Sequence, residues 1–462
     1  MKNIRREVND LINRGMDSHL RLAVTGLSRA GKTAFITSLV NQLVYSSTHD
    51  NLPLLKVSQD KRLIGAKRVP QTNMMVPRFA YDEAMDSLNA EPPHWPEPTR
   101  DVSEIRLAIR YRPQKGAKSL LTKTSTLYLD IIDYPGEWLL DLPLLDLSYE
   151  EWSETQFASM TGKRKELAEK WIEAASDIDL MDDADEKAIQ SVAELYTQYL
   201  YDCKEAGFHW VQPGRFVLPG ELAGAPVLQF FPLLENSDTE SLSKSEKTSA
   251  YRMLKSRYEE YQKKVVKAFY KNHFSTFDRQ IVLVDCLQPL NVGYESFSDM
   301  KSALEQIMKS FRYGRSSVIK RLFAPKIDKV LFAATKADHV TPDQHPNLVS
   351  LLQQLVHPSW QHAAFEDIEM NCISMASIQA TVPGFVSSEG ENSPAIQGNM
   401  LNGKAMTLYP GEVPKKLPSA DYWDKAGFEF SSFRPMPGDQ SQPCKHLRLD
   451  KALEYLIGDK LK

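Results

Sequence analysis

Gly26-Leu27-Ser28-Arg29-Ala30-Gly31-Lys32-Thr33 has the form G-x-x-x-x-G-K-[ST], a loop suited to holding phosphate. Before it, Leu20-Arg21-Leu22-Ala23-Val24-Thr25 alternates apolar and polar and then turns apolar, as a strand entering a sheet does. After it, Ile36, Leu39, Val40, Leu43 and Val44 recur at helical spacing, so a helix is predicted to open at Lys32. In a strand, loop and helix of this kind the glycines let the backbone turn its amides inward. The helix N-terminus adds partial positive charge where a di- or triphosphate would lie. Gly26, Ser28, Arg29, Ala30, Gly31, Lys32 and Thr33 are therefore the candidate phosphate contacts. Lys32 is expected between the outer phosphates and the Thr33 hydroxyl on a magnesium ion.

The rest of the composition sets bounds. A chain of 462 residues, 42% of them hydrophobic, can bury two or three sizeable cores. Its net charge is only −4, so no overall field argues for a nucleic-acid partner. Cys203, Cys286, Cys372 and Cys444 lie far apart without metal spacing, which suits a reducing cytoplasm. No apolar run reaches membrane-span length, and the N-terminus lacks a signal-peptide core. Residues 1–19 carry Ile4, Val8, Leu11 and Ile12 on one helical face among Lys2, Arg5, Arg6 and Arg14. Two readings fit: a surface helix packed on its own domain, or a basic helix resting on the inner face of a membrane.

Further along, Tyr45 to Arg100 gives mixed signals and ends in the proline-rich Glu91-Pro92-Pro93-His94-Trp95-Pro96-Glu97-Pro98, which no regular sheet passes through. Glu104 to Tyr111 alternates as a half-buried strand, and Ser125 to Ile132 follows as its antiparallel partner. Three helical patterns, Arg164–Ser176, Asp185–Ala206 and Ser245–His273, mark an insertion. The last carries Lys255, Arg257, Lys263, Lys264, Lys267 and Lys271, read as a solvated face. Between the helices, Trp210–Leu234 reads as loop with short strands. Buried strands at 280–285 and 329–335, helices through Met300–Phe311 and Leu348–Val356, and a short strand at 371–374 then imply a mostly parallel, doubly wound sheet. The predicted organisation is an α/β P-loop NTPase core over 20–136 and 279–380, a mainly helical insertion over 137–278, and an irregular extension over 381–462 with a closing helix.

Two more motifs fall at strand ends. Asp133-Tyr134-Pro135-Gly136 is a D-x-x-G, in which the aspartate holds magnesium through water and the Gly136 amide meets a γ-phosphate. Thr335-Lys336-Ala337-Asp338 resembles the guanine-reading [NT]-K-x-D motif of GTPases, with Thr335 in place of the commoner Asn. Its aspartate can accept from both N1–H and the 2-amino group of guanine, a donor pair that adenine lacks. A backbone amide after the next strand completes base recognition in GTPases; Ser374-Met375-Ala376-Ser377 sits there, and Ala376 is the candidate.

With Asp133-Tyr134-Pro135-Gly136-Glu137-Trp138 and Ser310-Phe311-Arg312-Tyr313-Gly314, these motifs make the chain resemble the YcjX-like family of bacterial P-loop GTPases over its full length. The resemblance implies a Ras-like core with added helical and C-terminal elements, GTP or GDP binding with Mg2+, slow hydrolysis, and a stress-response setting. Lys32, Glu137 and Arg29 are the catalytic candidates: Glu137 stands where many GTPases place a water-orienting Gln, and Arg29, or alternatively Arg78, could serve as an arginine finger. Thr33, Asp133 and Thr72 are the metal candidates, Thr72 being preferred to Thr99 as the switch threonine. Three readings stay open: a GTPase switch engaging an unidentified protein partner in the cytoplasm or at a membrane, an ATPase or small-molecule kinase, and a GTP-binding interaction protein with negligible hydrolysis.

Overall fold

The computed structural model describes residues 17–98, 100–114, 122–235, 237–311, 327–365, 368–388, 391–424, 428–439 and 441–462. The expected N-terminal helix and Thr99 lie outside these residues, as do Arg312 to Gly314. The chain forms two compact units, Met1–Tyr134 with Phe277–Asn291 and Lys326–Lys462, and Pro135–Thr276 with Val292–Pro325. Residues 292–325 thus group with the helical unit, and the C-terminal extension groups with the sheet.

The first unit is built on a seven-stranded sheet in the order β2-β3-β4-β1-β5-β6-β7. Its strands are β1 Ser18–Gly26, β2 Leu63–Val69, β3 Ser103–Tyr111, β4 Ser125–Asp133, β5 Arg279–Val284, β6 Lys329–Ala334 and β7 Glu369–Ser374. β4, β1, β5, β6 and β7 run parallel, whereas β2 and β3 pair antiparallel with their neighbours. β1 and β5 lie in the middle, and every residue of β5 is buried. That burial explains the continuous apolar run Ile281–Val284 within β5. The helix Lys32–Tyr45 puts Phe35, Ile36, Leu39, Val40 and Leu43 into the core beneath the sheet, and the closing helix Leu449–Ile457 packs Leu449, Ala452, Leu453 and Leu456 into the same cluster.

Both faces of β3 are largely buried, contrary to the half-buried strand expected from its alternation. Over Glu104 and Arg106 its polar face is paired rather than solvated, while Arg110 is exposed. Arg106 lies 3.4 Å from Asp130 and stacks over Tyr128, and Glu104 faces Arg21. Burial pushes the Glu104 carboxyl upward, and the neighbouring Asp130 adds to the shift. After β7 a separate three-stranded antiparallel sheet forms from β8 Thr381–Ser388, β9 Glu391–Asn399 and β10 Ala405–Leu408.

The second unit is helical, with Tyr149–Ala158, Gly162–Ser176, Glu186–Glu205, Ala250–Glu260 and Tyr294–Ser310 as its longer helices. The helix from Ala250 widens to π geometry over Tyr261–Val266 before continuing to Asn272. The loop from Trp210 contains short helical turns at Gly214–Val217, Gly220–Leu222 and Pro226–Leu228, and no strands among its described residues. Aromatic side chains fill the core: Trp152 stacks on Tyr258 with centroids 5.2 Å apart, and Trp171 meets Tyr196 edge-on at 5.1 Å. Of the basic run, Lys255 pairs with Glu150, Arg257 with Glu186 and the exposed Lys263 with Glu259, while Lys264, Lys267 and Lys271 face solvent. Because Trp152 is fully buried, Trp152→Ala is expected to cost about 3–5 kcal/mol through the cavity it leaves. Denaturant titration followed by circular dichroism checks this, and a loss under about 1 kcal/mol would contradict the packing role of Trp152.

Candidate functional site

At the end of β1 the chain turns through the phosphate-loop sequence into the helix that opens at Lys32. The spacing of its glycines has visible causes. A Cβ on Gly26 would lie 2.6 Å from the carbonyl oxygen of Leu283 on β5, and Gly31 has φ +83°, a conformation that suits glycine. Arg29 adopts φ 62° and faces solvent. The helix that follows has no side-chain cap and no acidic residue in its first turn. Its first amides, which lack helical partners, and its dipole thus favour an anion. The Lys32 ammonium donates to the Gly26 carbonyl at 3.3 Å, across the mouth of the loop.

A cavity of about 370 Å³ extends from this loop. Arg29 to Ala34 line it, as do Thr335, Lys336, Asp338 and His339, and Ala376, Ser377 and Ile378. Three of the sequence motifs therefore meet in one space. They do so because β1, β6 and β7 are parallel, so that their following loops emerge at one edge of the sheet.

Asp338 is buried, and both of its oxygens have partners: Oδ2 accepts from the amides of Ala380 (2.6 Å) and Thr381 (3.2 Å), and Oδ1 lies 3.1 Å from His339 Nδ1. Burial alone would raise its pKa, but His339 and the two amides hold the carboxyl below its ordinary value, so it is ionised near neutral pH. Each carboxylate oxygen has two acceptor positions, which leaves capacity for a ligand. Lys336 takes the left-handed conformation at φ 57° and pairs with Asp285 at 2.5 Å. Against the effect of burial, Lys336 holds the Asp285 carboxyl low as well. The Thr335 hydroxyl points back to the Val284 carbonyl at 3.4 Å.

Ala376 lines the cavity, but its amide is committed. It donates to Leu447 O at 3.0 Å, and Leu447 N returns a bond of 2.8 Å to Ala376 O. Gln379 N likewise donates to Lys445 O. The C-terminal chain therefore occupies the Ala376 amide, whose reading as a base contact is corrected on that ground. Ser377 and Ile378 line the same cavity.

Asp133 ends β4 in register with Val24 of β1 and is fully buried. Ser28 is partly exposed within the loop. Thr72 is exposed in the segment that follows β2. Since β2 is three strands from β1, that segment starts laterally about 14 Å away. The chain that reaches the phosphate loop is instead the proline-rich one: Thr33 Oγ1 donates to Glu97 O at 3.2 Å. Trp95, Pro96 and Pro98 wall the cavity, together with Leu401, Ser432 and Phe433 of the C-terminal extension, and Trp95 Nε1 donates to Phe433 O at 2.8 Å. These wall residues carried no recognisable spacing, although a tryptophan among prolines is a usable hint.

Gly136 and Glu137 open the short helix Gly136–Leu140 in the helical unit, so the division between the units falls inside the D-x-x-G. The Glu137 carboxylate is buried and pairs with Lys204 at 2.7 Å. Arg78 is exposed and bridges to Glu104 through the backbone. No helix among the described residues is long and apolar enough to cross a membrane.

A family model described as "YcjX-like family, DUF463" matches residues 20–461. Over 465 residues the chain is 54% identical to a protein of Escherichia coli (strain K12) named Ras-like GTPase YcjX, with all of each chain covered. It is 48% identical over 474 residues to a Shewanella oneidensis (strain MR-1) protein of the same name, covering 99% of this chain and 98% of that one. On the match across residues 20–461 and on these identities, the chain belongs to the YcjX-like family.

Proposed function

We propose that this protein binds GTP and GDP in the cavity between the phosphate loop and Asp338, and that it hydrolyses GTP slowly as a nucleotide-controlled switch. The observation that carries the reading is the junction, in one cavity, of an uncapped helix N-terminus and a carboxylate held ionised where the Lys336 loop ends. The first suits a polyphosphate, and the second suits the N1–H and 2-amino donors of guanine. The names of the relatives agree with this reading. Gly26 and Gly31 shape the loop, and Lys32 would leave the Gly26 carbonyl to meet the outer phosphates.

The base contact first expected of Ala376 passes to Ser377, the next residue lining the cavity. The Thr33 hydroxyl and the Asp133 carboxylate are hard oxygen donors of the kind Mg2+ takes. When bound, magnesium would neutralise charge on the phosphates. For Thr33 to serve it, the hydroxyl would turn from the Glu97 carbonyl, releasing the proline-rich segment and so signalling the nucleotide state. The cellular setting we propose, a bacterial stress response with a protein partner, rests on family resemblance.

One observation favours a second reading, a GTP-binding interaction protein with negligible hydrolysis: the Glu137 carboxylate is held by Lys204. Single-turnover assays of GTP and ATP, with and without magnesium, separate the two. Magnesium-dependent release of phosphate from GTP alone supports the switch. GTP binding without phosphate release supports the second reading, and equal turnover of ATP overturns both.

A further inference from the structure

The two loops proposed to read the base are joined by a side-chain relay that starts in the C-terminal extension. Arg448, the N-cap of the closing helix, has a left-handed backbone at φ 58°. One of its terminal nitrogens donates to Ser374 Oγ at 2.7 Å and to Ser374 O at 3.2 Å, at the end of β7. The other lies 2.7 Å from Nδ1 of His345, which is buried. His345 Nε2 in turn lies 2.7 Å from the carbonyl oxygen of Ala337, the residue between Lys336 and Asp338. Arginine can only donate, so Nδ1 accepts and Nε2–H donates to Ala337. This fixes the neutral tautomer, and burial together with Arg448 holds the imidazole pKa below its ordinary value. Ala337 N also donates to Met375 O at 3.1 Å, which ties the two loops directly.

We propose that Arg448 and His345 are positioning residues for guanine selectivity, holding the Asp338 loop and the Ser374–Ser377 loop in the one relative placement that reads the base. The proposal rests on the guanine reading given above. Neither residue lines the cavity, so neither would touch the nucleotide. Their effect passes through Ala337, whose carbonyl His345 holds, and through Ser374, which Arg448 holds from the other loop. Asp338 must meet two donors of guanine at once, and its alignment is therefore more demanding for guanine than for hypoxanthine, which lacks the 2-amino group. A shift of the loop should weaken GDP more than IDP and leave the phosphate contacts in place.

The test is competition of GDP, IDP and ADP against a fluorescent GDP analogue, with magnesium, on the full-length protein and on Arg448→Ala, Arg448→Lys and His345→Asn. The side-chain amide introduced by His345→Asn keeps an acceptor near the place of Nδ1 and loses the donor to Ala337. Wild type is expected to prefer GDP to IDP and to exclude ADP. In Arg448→Ala and His345→Asn the GDP-over-IDP preference is expected to fall ~10-fold, with IDP affinity nearly unchanged. Arg448→Lys, which can reach one of the two partners, is expected to restore part of the preference. An unchanged preference in Arg448→Ala and His345→Asn, or equal weakening of GDP and IDP, overturns the positioning role. If Arg448→Ala does not fold, as judged by its melting transition, His345→Asn and Arg448→Lys decide by the same criterion. If wild type binds ADP as well as GDP, the guanine reading itself fails, a result distinct from failure of the relay.

Discussion

Lys32→Ala is expected to weaken GDP binding by roughly a hundredfold while leaving the fold intact, because a charge-assisted bond to phosphate contributes about 1.5–3 kcal/mol. In the structure the ammonium donates to the Gly26 carbonyl through a long bond, from a partly exposed position at the first residue of its helix. Removing it should therefore change stability by about 0.5 kcal/mol or less. The loop shape does not depend on it either, since Gly26 packs against Leu283 and Gly31 carries the left-handed turn. Calorimetric titration measures the affinity, and thermal melting of the nucleotide-free protein measures the fold. Retained GDP affinity in a folded Lys32→Ala variant would remove the phosphate loop from the binding site.

Asp338→Asn is expected to lower GDP affinity by at least about a hundredfold and to turn the preference toward xanthosine diphosphate. Two bonds to a charged acceptor are lost, each on the order of 1.5–3 kcal/mol. Xanthine presents a carbonyl where guanine has its 2-amino group, and the Asn amide can donate to it. The structure also says how the variant would be tolerated. The Asn oxygen can replace Oδ2 and accept from the amides of Ala380 and Thr381, which turns the new NH2 toward His339. A neutral His339 can then present Nδ1 as an acceptor. Competition binding with GDP, IDP and xanthosine diphosphate checks the exchange. An unchanged preference for GDP would mean that Thr335 to Asp338 does not read the base.

The parts of the fold legible in the sequence are those where local pattern and burial agree. β5 and β6 are apolar runs because they lie inside a parallel sheet, and the phosphate loop keeps its glycines for steric reasons visible at Gly26 and Gly31. β2 escaped notice because it is an edge strand with much of its surface exposed, and its pairing is irregular at Gly65, where φ is +150°. The strands β8 and β9 carry Pro383, Gly384, Pro394 and Gly398, composition that reads as loops and short strands although the pairing is continuous. In the candidate site, Lys32, Thr33, Lys336 and Asp338, which the motifs single out by their own chemistry, line one cavity. The commitment of the Ala376 amide was not legible, because its partner Leu447 arrives from the far end of the chain. The place of Trp95 and Phe433 in the cavity wall, and the contacts of His345 and Arg448, left no pattern for the same reason, since they arise only where distant segments meet.

Whether one cavity selects guanine nucleotides is decided by calorimetric titration of nucleotide-free protein with GDP and with ADP, each with magnesium. Tight binding of GDP with negligible binding of ADP is the predicted result; equal binding of the two, or a preference for ADP, would contradict it.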